Sequence, residues 1–181
     1  MTTKTVFRTP WGWIGIAASA QGVCAIILPK PSRRAAERAL RVQDVSSNGH
    51  LAPPDRLLRD AQAQVAAYLG GKRHTLDFPI DLSGGTSFQR RVWQTALRIP
   101  YGRARSYRWI ASKVGGTRYS RAVGNALGAN PVPLIVPCHR VVAHDASLGG
   151  FSCGLTVKRK LLDLEGTLAL LGAKAKGKRQ K

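Results

Sequence analysis

Residues 106–129, SYRWIASKVGGTRYSRAVGNALGA, place two short helical patterns on either side of a glycine pair. Ser106 is set to cap the first pattern, YRWIASKV, because a serine oxygen accepts from the unpaired amides of an opening turn. Gly115 and Gly116 break that helix, and Thr117 is expected to cap the second pattern, RYSRAVGNALG. Two short helices joined by a glycine turn make the layout of a helix-turn-helix. In the second helix Ala122, Val123, Ala126 and Leu127 face inward, while Arg118, Arg121 and Asn125 face out. An ordinary helical hairpin fits the same pattern, so the spacing alone does not separate the two.

Charge favours the first. No acidic residue lies between Ser83 and His144, and residues 83–181 carry 18 basic side chains against 3 acidic ones. The whole chain has a formal charge of +20. A single-sign field of that size points to a polyanionic partner, with nucleic acid ahead of an anionic membrane surface. The second helix is also stripped of bulk at Gly124, Ala126, Gly128 and Ala129, at a cost of up to about 1 kcal/mol for each glycine. Such a helix suits close backbone approach to a shallow or narrow groove, and Arg121 is the long probe left among the small residues. The preceding helix, SFQRRVWQTALRI, gathers Phe88, Val92, Trp93 and Ala96 on one face and turns Arg90 and Arg91 outward.

The first half reads differently. TVFRTP, WGWIGIAAS and GVCAIILP are three expected strands, the latter two joined by a turn at Ala20–Gln21. A helix, PSRRAAERALRV, is expected to open on its proline, and a longer one, DRLLRDAQAQVAAYLGG, stops at paired glycines. HTLDFPIDL is a further extended piece. Trp11, Trp13 and Cys24 are assigned to the core. The expected division is an N-terminal α/β domain over 1–82, a linker at 83–86, a C-terminal domain over 87–170 and a basic tail over 171–181. The tail reads as a disordered extension with weak affinity for phosphate, or simply as a solvated end.

Three widely spaced cysteines with no CxxC pair argue against a disulfide framework and a zinc ribbon. Cys24, His50 and His74 lack ligand spacing, so no metal is expected. The first ten residues lack the apolar segment of a signal peptide, and no apolar run reaches the roughly 20 residues of a membrane span. The expected setting is soluble and intracellular.

The chemistry concentrates in NPVPLIVPCHRVVAHD, residues 130–145. Pro131, Pro133 and Pro137 exclude a central sheet position and are read as stiffening a strand that ends at Cys138. A reactive cysteine needs a base or a positive field to supply thiolate. His139 and Arg140 follow at once, but neighbouring side chains of an extended segment point to opposite faces, so His139 is expected to reach the sulfur through a kink or a water. Asp145, Asp163 and Glu165 are the acidic residues of this half. Glu165 ends the helical pattern TVKRKLLDLEG, where the helix dipole disfavours a negative charge. From residues alone, Cys138 as nucleophile and Cys138 as a small buried hydrophobe both stand, as do an orienting and a solvated Glu165.

PCHRVV, together with SYRWIA, RAVGNALGANPVP and GGFSCGLTVKRKLLDLEG in that order, closely resembles the O6-alkylguanine-DNA alkyltransferase family. The resemblance covers about Ser87 to Gly166 and is specific there; the N-terminal match is looser. It implies an α+β protein: a ribonuclease-H-like α/β domain, then a mostly helical, winged-helix-like domain with the helix-turn-helix. It implies that Cys138 accepts the alkyl group from guanine O6 in a single irreversible turnover, with no cofactor. His139 matches the base acting through a water, Glu165 the carboxylate that holds it, and Asn130 the hinge between recognition helix and active-site segment. Tyr107 matches the tyrosine that contacts the target's phosphate and protonates the leaving guanine. Arg121 matches the finger that fills the stack after base flipping. The DNA-contacting surface extends along the same helix to Arg118, Tyr119, Ser120, Ala122, Asn125 and Leu127. The main chain at Cys138, Val141 and Ser152 matches the groups that read the guanine edge.

Two residues depart from the family pattern. Phe151 stands where tyrosine is common, and Cys153 stands in the pocket loop where glycine is expected; both bear on which alkyl groups are accepted. The implied partner is double-stranded DNA containing O6-alkylguanine, bound by a monomer with clustering along DNA as a further option. The implied location is the cytoplasm, with the nucleoid in a prokaryote or the nucleus in a eukaryote. A non-transferring relative, a transcription regulator and a cysteine hydrolase are the competing readings. The cysteine at 138 weighs against the first, the regulator leaves PCHR unexplained, and the hydrolase would need an oxyanion hole and turnover.

Overall fold

Small and branched apolar residues run almost unbroken from Ile14 to Leu28, and such runs suit strands covered on both faces. In the computed structural model, which describes residues 2–42 and 55–171, they lie in an antiparallel sheet of order β1-β2-β3. The strands are β1 (Thr3–Thr9), β2 (Gly12–Ser19) and β3 (Gly22–Lys30). Helices α1 (Arg33–Val42) and α2 (Asp55–Leu69) pack on this sheet. Ala17, Cys24, Ala25, Ile27 and Leu40 form a buried cluster between sheet and α1. A Cβ at Gly15 would come 2.7 Å from Leu40 Cδ1, so the glycine is what lets α1 settle on β2.

Two expectations for this half are corrected. Pro31 does not open α1: Ser32 precedes it as the cap, its Oγ accepting from the Ala35 amide at 3.2 Å. Trp11 and Trp13 are only half-buried, because both lie at the turn that closes the β1–β2 hairpin rather than in the core. HTLDFPIDL, the further extended piece, joins the sheet through a parallel bridge, Val23 to Ile80. Asp81 closes that contact by accepting from the buried Ser19 hydroxyl at 2.6 Å. The loop containing His50, and the basic tail from 172, lie outside the described residues.

By its contacts the chain forms two units, Met1–Gly84 with Pro131–Ile135, and Gly85–Asn130 with Val136–Lys181. The second unit begins with α3 (Ser87–Ala96), which Thr86 and Gln89 close with a reciprocal capping box. Helices α4 (Tyr107–Val114) and α5 (Ser120–Gly128) pack on α3 and on each other. The buried Trp93 indole donates to the Ala126 carbonyl at 2.8 Å, tying α3 to α5. Two short parallel strands, β4 (Arg105–Ser106) and β5 (Val141–Val142), and the last helix α6 (Leu155–Leu164) complete it.

Ser106 caps α4, accepting from the Trp109 amide at 3.1 Å. Thr117 does not cap α5. The glycine pair enters at positive φ (149° and 125°) and feeds a 3-10 turn over Thr117–Tyr119. The Thr117 carbonyl instead takes the Ser120 hydroxyl at 2.7 Å. Arg90 is also not simply outward: it is half-buried and its guanidinium donates to the Gly85 carbonyl.

Candidate active site

The segment 131–136 is not a strand. It is a series of bends with isolated bridge residues, and Leu134 adopts φ 78°, which breaks any extended run. Its prolines still do what stiff residues do: they fix the approach to a 3-10 turn, Cys138–Arg140, that begins at the cysteine. The turn replaces the opposite-faces geometry expected of an extended chain, and all three of its side chains are buried.

Asn130, at the end of α5, turns its amide back on this turn. Its Nδ2 donates to Cys138 Sγ at 3.1 Å and to the Val136 carbonyl at 2.9 Å. His139 has no solvent exposure. Its Nε2 lies 2.6 Å from Glu165 Oε1, while its Nδ1 is buried without a hydrogen-bond partner. Glu165 caps α6 at its C-terminal end, where a negative charge is disfavoured, but the charge is well compensated. Arg140 Nε donates to Oε2 at 2.9 Å, Arg140 Nη2 to Oε1 at 3.2 Å, and the Gly102 amide to Oε2 at 3.3 Å. Arg140 is anchored in turn by the Ile99 carbonyl at 2.6 Å and lies over the Tyr101 ring.

These surroundings set the protonation states. Burial pushes the Glu165 carboxyl up, but the hydrogen bonds from His139 and Arg140 and the charge of Arg140 bring it down to about 2. Burial pushes His139 down against the raising effect of Glu165. A carboxylate facing a neutral imidazole puts the ring proton on Nε2 and leaves Nδ1 as an acceptor. Burial lifts the Cys138 thiol to about 11, against the Asn130 hydrogen bond and the Lys158 charge. The resting group is therefore a thiol, so thiolate has to be generated by proton transfer.

A cleft of about 440 Å³ opens over Cys138. It is lined by Tyr107, Ser120, Arg121, Gly124, Asn125, Leu127, Gly128, Gly150, Phe151 and Ser152. Tyr107 and Arg121 thus meet the cysteine across one cavity, as do the small residues of α5. The Tyr107 hydroxyl donates to the Gly150 carbonyl at 3.1 Å, and burial raises its pKa, so it stays a proton donor.

The remaining expected residues stand at various removes. Val141 donates its amide to the Cys138 carbonyl, and its own carbonyl takes the Lys158 ammonium at 2.6 Å. Cys153 is half-buried outside the cleft lining, its sulfur 3.9 Å from Ser152 Oγ. Arg118 and Tyr119 sit together on the 3-10 turn, the guanidinium 5.0 Å from the ring centroid. Ala122 is half-buried and Leu127 nearly fully buried. Two residues central to this geometry went without their observed role in the sequence: Arg140, noted only as a positive neighbour of Cys138, holds Glu165, and Lys158 was not singled out. Lys158 carried a usable signal, since it lies three and four residues before Leu161 and Leu162 on the buried face of α6.

Comparison with known proteins gives one consistent result. The family description "6-O-methylguanine DNA methyltransferase, DNA binding domain" matches residues 87–167. A methylated-DNA–protein-cysteine methyltransferase of Mycobacterium bovis is 44% identical over 119 residues, 66% of this chain and 72% of the relative. One of Methanosarcina acetivorans is 35% identical over 162 residues, 90% of this chain and 97% of the relative. The crystal structure of Mycobacterium tuberculosis OGT in complex with DNA matches with a TM-score of 0.72 at 34% identity, covering 91% of this chain and 93% of that one.

Proposed function

Because the chain belongs to the O6-methylguanine-DNA methyltransferase family, we propose that it draws O6-alkylguanine out of double-stranded DNA and takes the alkyl group onto Cys138, once per molecule. The activity that comes with the family is transfer of a methyl group from DNA to a protein cysteine. The observation that carries the finer reading is the position of Cys138. It faces a cleft lined by Tyr107, Arg121 and the small residues of α5, and is held from behind by Asn130.

The chemistry follows from the protonation states. The thiol proton passes through a bridging water to His139 Nδ1, the nitrogen without a protein partner. The imidazolium that forms is stabilised by the Glu165 carboxylate at 2.6 Å, and Arg140 keeps that carboxylate ionised. Sulfur then attacks the alkyl carbon; the S–C bond forms as the C–O6 bond breaks, and the electron pair leaves with the guanine. Tyr107 supplies the proton that the leaving base takes up. A thioether is not readily displaced, so the protein is consumed.

Extruding a base costs a few kcal/mol, and a side chain that fills the gap offsets part of it. Arg121, exposed on α5 at the cleft edge, has the length and charge for that task. Gly124 and Gly128 on the same helix leave room for close approach to a groove. Among the described residues no helix is long and apolar enough to cross a membrane.

Cys138→Ser tests the reading: it is expected to abolish transfer from methylated duplex while leaving DNA affinity nearly intact, since phosphate contacts dominate binding. Retained transfer in that variant would reject Cys138 as the acceptor.

A further inference from the structure

The C-terminal unit holds a second cavity, of about 460 Å³, that shares no lining residue with the cleft over Cys138. It is formed by the turn 102–106, by Val142 and the residues after it, and by Thr167, Leu170 and Leu171. Its floor is apolar and firm: Val142 and Leu171 belong to a buried cluster with Leu162, against which Ala104 and Ala146 pack. Its rim is basic. Arg103, Arg105 and His144 are exposed there, and no lining residue is acidic. The Arg105 guanidinium lies 5.6 Å from the centre of the Trp109 ring, a contact that orients the charge without neutralising it.

Two further features point to an occupant. Thr167 lines the cavity with 1% of its surface exposed, and its hydroxyl has no hydrogen-bond partner among the described residues. Buried hydroxyls of folded proteins are nearly always paired, so this one is a polar group in want of a partner. Leu170 also lines the cavity and leaves 49% of its surface exposed, one of three large apolar side chains so placed among the described residues.

An occupant has to bring negative charge, apolar groups and a hydrogen-bonding group together. A nucleic-acid backbone brings charge but offers nothing apolar to Leu170 and the floor. Residues 172–181 carry five basic and no acidic side chains, and a second copy of a chain with charge +20 brings the same sign again. A segment of another protein in which carboxylates alternate with aliphatic side chains meets all three demands. We infer that this cavity is a docking site for an acidic peptide segment of a partner protein. Arg103 and Arg105 take its carboxylates, Leu170 and the floor take its aliphatic side chains, and the Thr167 hydroxyl gains its missing partner. The inference stands apart from what Cys138 does.

Fluorescence anisotropy of the full chain with a fluorescein-labelled hexapeptide, ELDLEL, tests this, with ESDSES as the charge-matched peptide lacking aliphatic groups. Wild type should bind ELDLEL on the order of tenfold more tightly than ESDSES. Arg103→Glu combined with Arg105→Glu should weaken ELDLEL by on the order of tenfold or more. Leu170→Ser should weaken ELDLEL several-fold and leave ESDSES unchanged. Thr167→Val, which removes the hydroxyl and keeps the shape, should weaken ELDLEL by about threefold or more. Arg34→Glu with Arg38→Glu makes the same change of charge on exposed residues of α1 and should bind as wild type does. Thermal melting and methyl transfer at saturating duplex should stay near wild type in the Arg103, Arg105 and Leu170 variants. If the double arginine variant does not fold, Leu170→Ser and Thr167→Val decide. No binding of ELDLEL, equal binding of the two peptides, or an equal loss in the α1 variant overturns the inference. So does weakened duplex binding with peptide binding unchanged in the Arg103 and Arg105 variant, which would make this face part of the nucleic-acid surface.

Discussion

His139 Nε2 lies 2.6 Å from Glu165 Oε1, and this contact decides which ring nitrogen is free to take a proton. With Nε2 committed to an ionised carboxylate, the basic lone pair is on Nδ1. The carboxylate keeps its charge because Arg140 grips both of its oxygens.

If the two residues act as one unit, their effects should not add. His139→Ala and Glu165→Gln should each slow transfer by on the order of a hundredfold or more, and the double variant should lose little beyond either single one. Single-turnover rates on methylated duplex measure this. Additive losses would mean that Glu165 acts apart from the histidine.

Acid should unfold the protein partly through Glu165. Its carboxyl is held at about 2, below the ordinary 4.5, so the ionised form is favoured by folding. That contribution is complete above pH 4.5 and drains away as pH falls toward 2. Melting temperatures across this window should fall steeply in wild type and less steeply in Glu165→Gln. The variant should also melt lower at neutral pH, because Arg140 is left buried without its counter-charge. Parallel slopes would show that Glu165 contributes nothing to acid sensitivity.

Arg121 should matter for the helix and not for the chemistry. Arg121→Ala is expected to slow transfer from duplex DNA far more than from free alkylated guanine base, which needs no flipping. Equal slowing on both substrates would reject the finger role.

Cys153 gives a sharper expectation than its sequence position did. A side chain in place of glycine would narrow the alkyl space only if it pointed inward, and Cys153 is not among the residues lining the cleft. Cys153→Gly should therefore change the benzyl-to-methyl rate ratio by no more than about twofold, well under the tenfold or so that relief of an overpacked site would give. A tenfold selective gain for O6-benzylguanine would place the side chain in the alkyl space after all.

The local rules that could be read from the chain were the ones with local causes. Ser106 caps α4 because its oxygen and the Trp109 amide are three residues apart. Thr117 failed as a cap because the two positive-φ glycines ahead of it launch a 3-10 turn, a choice made by the chain's path between helices. The strand expected before Cys138 gave way to bends because Leu134 turns left-handed, which no proline pattern announces. Cys138, Arg121 and Tyr107 were recognisable by motif, and they do meet in one cleft. The burial of Arg140 and Lys158 was not legible because a charged side chain is normally solvated. Their burial depends on partners distant in sequence, a carboxylate 25 residues on for Arg140 and carbonyls 8 to 17 residues back for Lys158.

The central claim is that Cys138 takes one alkyl group from DNA and keeps it. Intact and peptide mass spectra after incubation with excess duplex containing O6-methylguanine measure this directly. The account predicts one added methylene mass per protein, on the peptide carrying Cys138, with the yield saturating near one and Cys24 unmodified. Methyl on another residue, no added mass while the DNA is repaired, or continued repair beyond one equivalent would contradict it.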